Sequence, residues 1–139
     1  MKIILTLAAW VALLAGYASA QEGAPEASSG NAFYTVEQAR RGSGFFRVHC
    51  YECHVSSEFA RSTFEERWTN RAVGDFYEFV VYSMPLDYPG GLPEQTYADI
   101  IAYVLQLNDF PAGETELPPS MDALMEMIMW EEEALVHGS

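Results

Sequence analysis

The feature that most restricts this chain is Cys50-Tyr51-Glu52-Cys53-His54, a C-x-x-C-H motif that holds both of its cysteines. Two cysteines cannot build a disulfide scaffold, so their spacing matters more than their number. The rest of the composition has to supply a core without such staples. At 139 residues the chain is one ordinary domain. Half of it is apolar and 14% is aromatic, which excludes disorder over most of the length. Seven basic residues face 20 acidic ones, a formal charge of −13. A polyanion is repelled by that balance, so nucleic-acid binding is excluded as a main function, and docking on an anionic membrane is disfavoured.

The five-residue motif is the attachment signature of a c-type haem. Thiols one helical turn apart can each add to one of two vinyl groups on a macrocycle edge. The histidine that follows is carried beneath the ring, where its imidazole can ligate iron. Two rival readings of C-x-x-C weaken on inspection. A zinc site needs two more ligands, and only His49 and His137 remain. A redox dithiol wants a βαβ setting, and the chain has no such pattern. A second axial ligand is then required, and methionine thioether is the electron-transfer choice because soft sulfur favours ferrous iron. Of six methionines, Met1 is at the extreme N-terminus and Met121, Met125, Met127 and Met129 cluster near the other end. These four read as packing residues of one helix. Met84 stands alone in Ser83-Met84-Pro85, at the mouth of a Gly/Pro-rich loop that can bring sulfur to the far face of a ring.

The first twenty residues read as a cleaved secretory signal. Lys2 is followed by an apolar run from Ile3 to Leu14 and an Ala18-Ser19-Ala20 cleavage site. The run is shorter than the roughly 20 apolar residues of a membrane span. Lys2 is the only lysine, so the mature chain carries six arginines against all 20 acids, a net −14. The expected compartment is the periplasm, where covalent haem attachment takes place in bacteria.

Along the mature chain, residues 21–34 read as a flexible leader rich in Gly, Ala, Ser, Pro and Glu. A helix begins at the Thr35-Val36-Glu37-Gln38 capping box and runs toward Phe45-Phe46. Gly42 and Gly44 inside it suggest that another backbone comes close. Further helices are expected over Thr63–Asn70, Asp75–Ser83 and Glu94–Leu107, the last with Tyr97, Ile100, Ile101, Val104 and Leu107 on one face. A loop punctuated by Pro85, Pro89, Gly90, Gly91 and Pro93 separates the last two. An acidic helix is expected from Pro118-Pro119-Ser120 to about Ala134. With no repeat and no long alternating run, the class is all-α.

Over about Val36 to Gly113 the sequence resembles the class I c-type cytochromes, and within them the bacterial monohaem group found beside periplasmic dehydrogenases. The resemblance is carried by Gly42 and Phe46 ahead of C-x-x-C-H, then Phe64, Arg67-Trp68 and Asp75-Phe76-Tyr77-Glu78-Phe79. It continues through Met84-Pro85, Pro89-Gly90-Gly91-Leu92, Tyr97 to Tyr103 and Leu107-Asn108. It implies a domain over 35–113 with three to five helices around one haem c, bonded through Cys50 and Cys53 and ligated by His54 and Met84. It also implies that the first helix crosses the Tyr97–Leu107 helix, with Gly42 at the contact and Phe46 on Tyr103. Trp68 and Arg67 resemble residues near the haem propionates in relatives, with a surface or core role an equal reading for each. The chain departs from the pattern at Val55-Ser56-Ser57-Glu58, which lacks the Gly-Pro whose carbonyl accepts the His Nδ1–H in many relatives. It departs again at Pro93, which replaces a Ser or Thr helix cap.

With both axial positions filled, the expected activity is outer-sphere electron transfer by Fe(III)/Fe(II) cycling, not enzymatic conversion. The partners would be a periplasmic dehydrogenase, oxidase or other cytochrome, and the −14 charge would steer toward a basic docking surface. The alternative is a fixed cytochrome subunit of a larger dehydrogenase or respiratory complex, docked through the acidic extension 114–139, although wrapping of that extension back on its own domain is the preferred reading of it. A haem enzyme or gas sensor would require an open coordination site. Tyr82 and Tyr88 read as exposed aromatics flanking the Met84 loop, and His49, His137 and Glu131-Glu132-Glu133 as solvated.

Overall fold

A computed structural model describes residues 32–130. The signal segment at 1–20, the leader up to Asn31, the Glu131-Glu132-Glu133 run and His137 lie outside the described residues. Helix α1 spans Val36–His49, and Thr35 caps it by accepting a hydrogen bond from Gln38 N at 3.1 Å on its side-chain oxygen. Glu37 in the first turn and Arg47 and His49 in the last complement the helix dipole. A short 3₁₀ turn, Ser56–Phe59, leads to α2, Ser62–Trp68. Helix α3 covers Val73–Ser83, where Asp75 accepts from Ala72 N at 3.1 Å in the first turn. Helix α4 covers Glu94–Leu107, entered through Pro93, and α5 is the five-residue Met121–Met125. Among the described residues there is no β-strand, only isolated bridges, so the class is all-α.

The dominant packing is the crossing of α1 on α4. A Cβ built on Gly42 would lie 1.7 Å from the Asp99 carbonyl oxygen, so the two backbones meet where a side chain cannot fit. Gly44 differs, since nothing lies within 4 Å of the corresponding position. Beside Gly42, Phe46 packs edge-on against Tyr103 with ring centres 5.5 Å apart. Arg41 closes the other side, where its guanidinium holds the buried Asp99 carboxylate at 3.0 Å and Glu116 at 2.8 Å. These two partners push the Arg41 pKa still further above its ordinary value, Glu116 most strongly. Helix α4 is the central element. Besides Tyr97, Ile100, Ile101 and Val104, it buries Ala98, Ala102 and Leu105, whereas Leu107 is only half-buried. A helix covered on several sides loses the single apolar face that periodicity predicts.

Both ends of the described chain depart from the sequence expectation. Phe33 and Tyr34, assigned to the leader, are packed. Tyr34 is buried, donates its hydroxyl to Phe110 O at 2.6 Å, and pairs in parallel with Ala112. Residues 114–130 do not form one acidic helix. After α5 the chain turns at Glu126 and bridges to Ala72 through Ile128, with Met127 O accepting from Val73 N at 2.7 Å and Met129 N donating to Arg71 O at 2.9 Å. Those bonds to the start of α3 replace the intrahelical ones a longer helix would make. The four tail methionines therefore separate. Met129 is fully buried, Met125 is exposed with its side chain against Gly74, and Met121 and Met127 are half-buried. Leu117 and Leu124 are fully buried, and Gln38 exchanges hydrogen bonds with both the N–H and C=O of Leu117. Through Leu117, Leu124 and Met129, the described residues 114–130 thus contribute to the domain core. A run of aromatic pairs joins it to the rest: Trp68–Phe76, Phe76–Phe64, Phe64–Trp130, Trp130–Phe110 and Phe110–Phe33, at 4.5 to 5.9 Å. Each such pair adds about 0.5–1.5 kcal/mol beyond area burial.

Candidate functional site

Helix α1 delivers the C-x-x-C-H motif. Cys50 caps the helix by donating its N–H to Phe46 O at 2.8 Å, and Cys53 N and His54 N both donate to Cys50 O, at 3.2 and 2.9 Å. The motif is therefore a tight turn with Cys50 half-buried, Cys53 exposed and the His54 side chain 31% exposed. Burial pushes the Cys50 thiol above its ordinary value. Redox-active C-x-x-C pairs lower the thiol value of their nucleophile, so the environment of Cys50 is the opposite of the one a dithiol enzyme builds. Among the described residues no three His, Cys, Asp or Glu side chains converge to hold a bare metal ion.

Met84 comes from a different element. It caps the C-terminus of α3, with its N–H donating to Val80 O at 2.8 Å and a cis peptide leading to Pro85. Its position is fixed by a residue that periodicity assigns to the core. Tyr97 of α4 donates its hydroxyl to Met84 O at 2.7 Å and accepts from Leu92 N at 3.4 Å, which clamps both ends of the intervening loop. Tyr82 and Tyr88, the aromatics flanking that loop in sequence, are exposed.

Cys50, Cys53, His54 and Met84 line one cleft of about 840 Å³. That volume lies within the range of cofactor pockets, roughly 300–1,000 Å³, and such pockets are apolar with few polar groups. The walls meet this description. Phe76, Phe79 and Val80 of α3, Ile100, Ile101 and Val104 of α4, and Phe46 and Phe59 face it. Phe79 is 46% exposed, so the apolar spacing on α3 marks a cleft wall as well as core. The donor set and the apolar walls fit a haem: two thiols, an imidazole and a thioether share one large apolar cavity. Arg67 lies on the rim, whereas Trp68 is buried among Phe64, Phe76 and Phe79, with Arg71 stacked over its ring at 5.0 Å. The two neighbours that resemblance places together are thus separated. His49 is exposed and also reaches the rim, as do Glu52 and Asp87.

Two supporting residues carry no sequence signal for their roles. Asn108, buried at the end of α4, donates to Phe59 O at 2.7 Å and to Val104 O at 2.8 Å, and accepts from Arg61 N at 2.7 Å. It ties the turn after the motif to the central helix. Glu58 is the other: its Oε2 lies 3.1 Å from His54 Nδ1. Sequence marks Asn108 as a helix stop and Glu58 as one acid among many. No protein-family model, curated protein or solved structure matches the chain.

Proposed function

We propose that the chain is an exported monohaem c-type cytochrome that carries single electrons. Cys50 and Cys53 would hold the haem by thioether bonds, with His54 and Met84 as axial ligands. The observation that carries this reading is the meeting of the C-x-x-C-H turn and Met84, thirty residues further on, in one apolar cleft of about 840 Å³. When bound, haem supplies reversible Fe(III)/Fe(II) chemistry. The residues of the chain do the rest. Phe46, Phe59, Phe76 and the α4 aliphatics keep water from the cleft, and Tyr97 and Asn108 fix the segments that bear Met84 and the turn after His54. The rim carries Glu52 and Asp87 alongside Arg67. With a net −14 on the mature chain, this supports encounter with a basic redox partner, at rates that fall as salt rises. Leu117, Leu124 and Met129 are spent inside the domain, which favours a free carrier over a subunit docked through the extension.

The test is expression alongside a haem-attachment system, followed by mass and spectral measurement. One haem added covalently and a six-coordinate spectrum are expected, and a Cys50→Ala/Cys53→Ala pair should abolish attachment. Met84→Ala should open the iron to external ligands and shift the Fe(II)/Fe(III) balance toward ferric on the order of 100-fold, about 120 mV at 59 mV per tenfold. A wild-type chain that takes no haem overturns the proposal, and an unchanged potential in Met84→Ala removes Met84 as ligand.

A further inference from the structure

We infer that Glu58 is the hydrogen-bond acceptor of His54 Nδ1–H and thereby holds the site at a lower potential than a neutral acceptor would. The inference rests on the haem reading above. A histidine that ligates metal through Nε2 carries its proton on Nδ1, and the partner of that proton sets ring orientation and ligand basicity. Among the described residues the one side chain bonded to His54 Nδ1 is the Glu58 carboxylate, at 3.1 Å. The geometry is built rather than incidental. Glu58 sits in the Ser56–Phe59 turn, four residues after His54, with its N–H bonded to Val55 O at 3.0 Å. Its neighbour Phe59 presents a ring edge-on to His54 at 5.3 Å. Asn108 in turn holds Phe59 O. One turn, pinned to the end of α4, thus supplies both the wall that orients the imidazole and the acceptor that takes its proton.

The chemical consequence follows from charge. A peptide carbonyl in this place would be a neutral dipole, but a carboxylate brings a full negative charge against the ring. It pulls the Nδ1 proton, makes the imidazole a stronger donor, and so favours the iron state with the higher positive charge. The absence of proline in Val55-Ser56-Ser57-Glu58 is then a replacement of the acceptor and not a loss of it.

The experiment compares midpoint potentials of the holoprotein and its variants at one pH and ionic strength, after haem content is measured by mass on each. Glu58→Gln keeps a carbonyl acceptor and removes the charge. It should shift the Fe(II)/Fe(III) balance about tenfold toward ferrous, an upward move of about 59 mV for one electron. Glu58→Ala, which removes the acceptor as well, should move it at least as far in the same direction. Glu58 is 52% exposed, so neither change empties the core. Glu52→Gln removes the same charge from the cleft rim without a bond to His54, and should shift the balance less than about threefold. A loaded, spectrally unchanged Glu58→Gln whose potential moves less than twofold overturns the inference. An equal shift in Glu52→Gln overturns it too, because the effect would then be general field and not the bond. A wild-type chain without haem fails the parent reading first, and the mass measurement separates that case.

Discussion

Gly42 and Gly44 stand two residues apart in α1, yet opposite physics governs them. At Gly42 the space for a Cβ is taken by the Asp99 carbonyl, so Gly42→Ala must push α1 away from α4. It should cost about 3 kcal/mol or more, at the upper end for overpacking of a core. At Gly44 the same position is open, and alanine there should stabilise the helix by about 0.5–1 kcal/mol. Denaturant melts of the pair check both signs, and two equal effects would refute the assignment of the contact to Gly42. From the sequence both glycines read as sites of close approach, because helix propensity penalises them equally. Only the partner backbone tells them apart. The C-x-x-C-H residues are the reverse case, since their spacing in the chain is already their geometry.

Elements are where local pattern and tertiary demand diverge. Helix α4 begins at Glu94 and ends at Leu107 as its stop signals predict, because proline entry and an Asn-Asp exit act locally. What it positions is not local. The Tyr97 hydroxyl reaches across to Met84 O and Leu92 N, so a residue counted as core is the clamp of the Met84 loop. Tyr97→Phe keeps the ring and loses both bonds. The loop should loosen by about 1–2 kcal/mol, which, in the haem-loaded protein proposed above, would make displacement of Met84 by added imidazole roughly tenfold easier while the helices stay formed. Spectral titration with imidazole reads the first effect and far-UV circular dichroism the second. The C-terminal segment shows the limit of pattern from the other side. Its apolar spacing suits a helix to about Ala134, yet α5 stops at Met125 because Arg71 and Val73 offer backbone partners to Met127 and Met129. A free helix needs most of its stability from packing, so a competing set of buried bonds can end it.

At the scale of the whole molecule, the two ends of the described chain close the fold together. Tyr34 bonds Phe110 O from the N-terminal side, and Trp130 packs on Phe110 at 4.5 Å from the other. This closure carries a pH signature. Burial, with the Asp109 charge adding to it, pushes the Tyr34 hydroxyl above its ordinary value. Burial raises Tyr77 likewise, with Glu94 and Tyr97 adding to it. A group that keeps its proton longer in the native state than in the unfolded one gives stability that is complete at neutral pH. That stability is lost as pH rises past the unfolded tyrosine value near 10. Stability should therefore fall on the alkaline side. Tyr34→Phe should lower stability at neutral pH by about 1 kcal/mol and make the alkaline fall shallower, with Tyr77 supplying the remainder. Thermal melts from neutral to alkaline pH would measure it, and an unchanged slope in Tyr34→Phe would exclude Tyr34 as a source.

The sequence by itself determined the helical class, the start of α1, the span of α4, the spacing of the donors in the C-x-x-C-H turn and the isolation of Met84. All of these rest on interactions within a few residues of each other, which the order of the chain specifies directly. Tertiary structure decided which glycine touches a backbone, that Tyr97 holds Met84, that Asn108 pins the turn after the motif, and that Tyr34, Leu117, Leu124 and Met129 belong to the core with Phe33 packed against it. It also decided that His54 meets a carboxylate and that Trp68 and Arg67 part company. Each of these depends on how loops close and which buried polar group finds a partner, and that is settled only when the helices have packed.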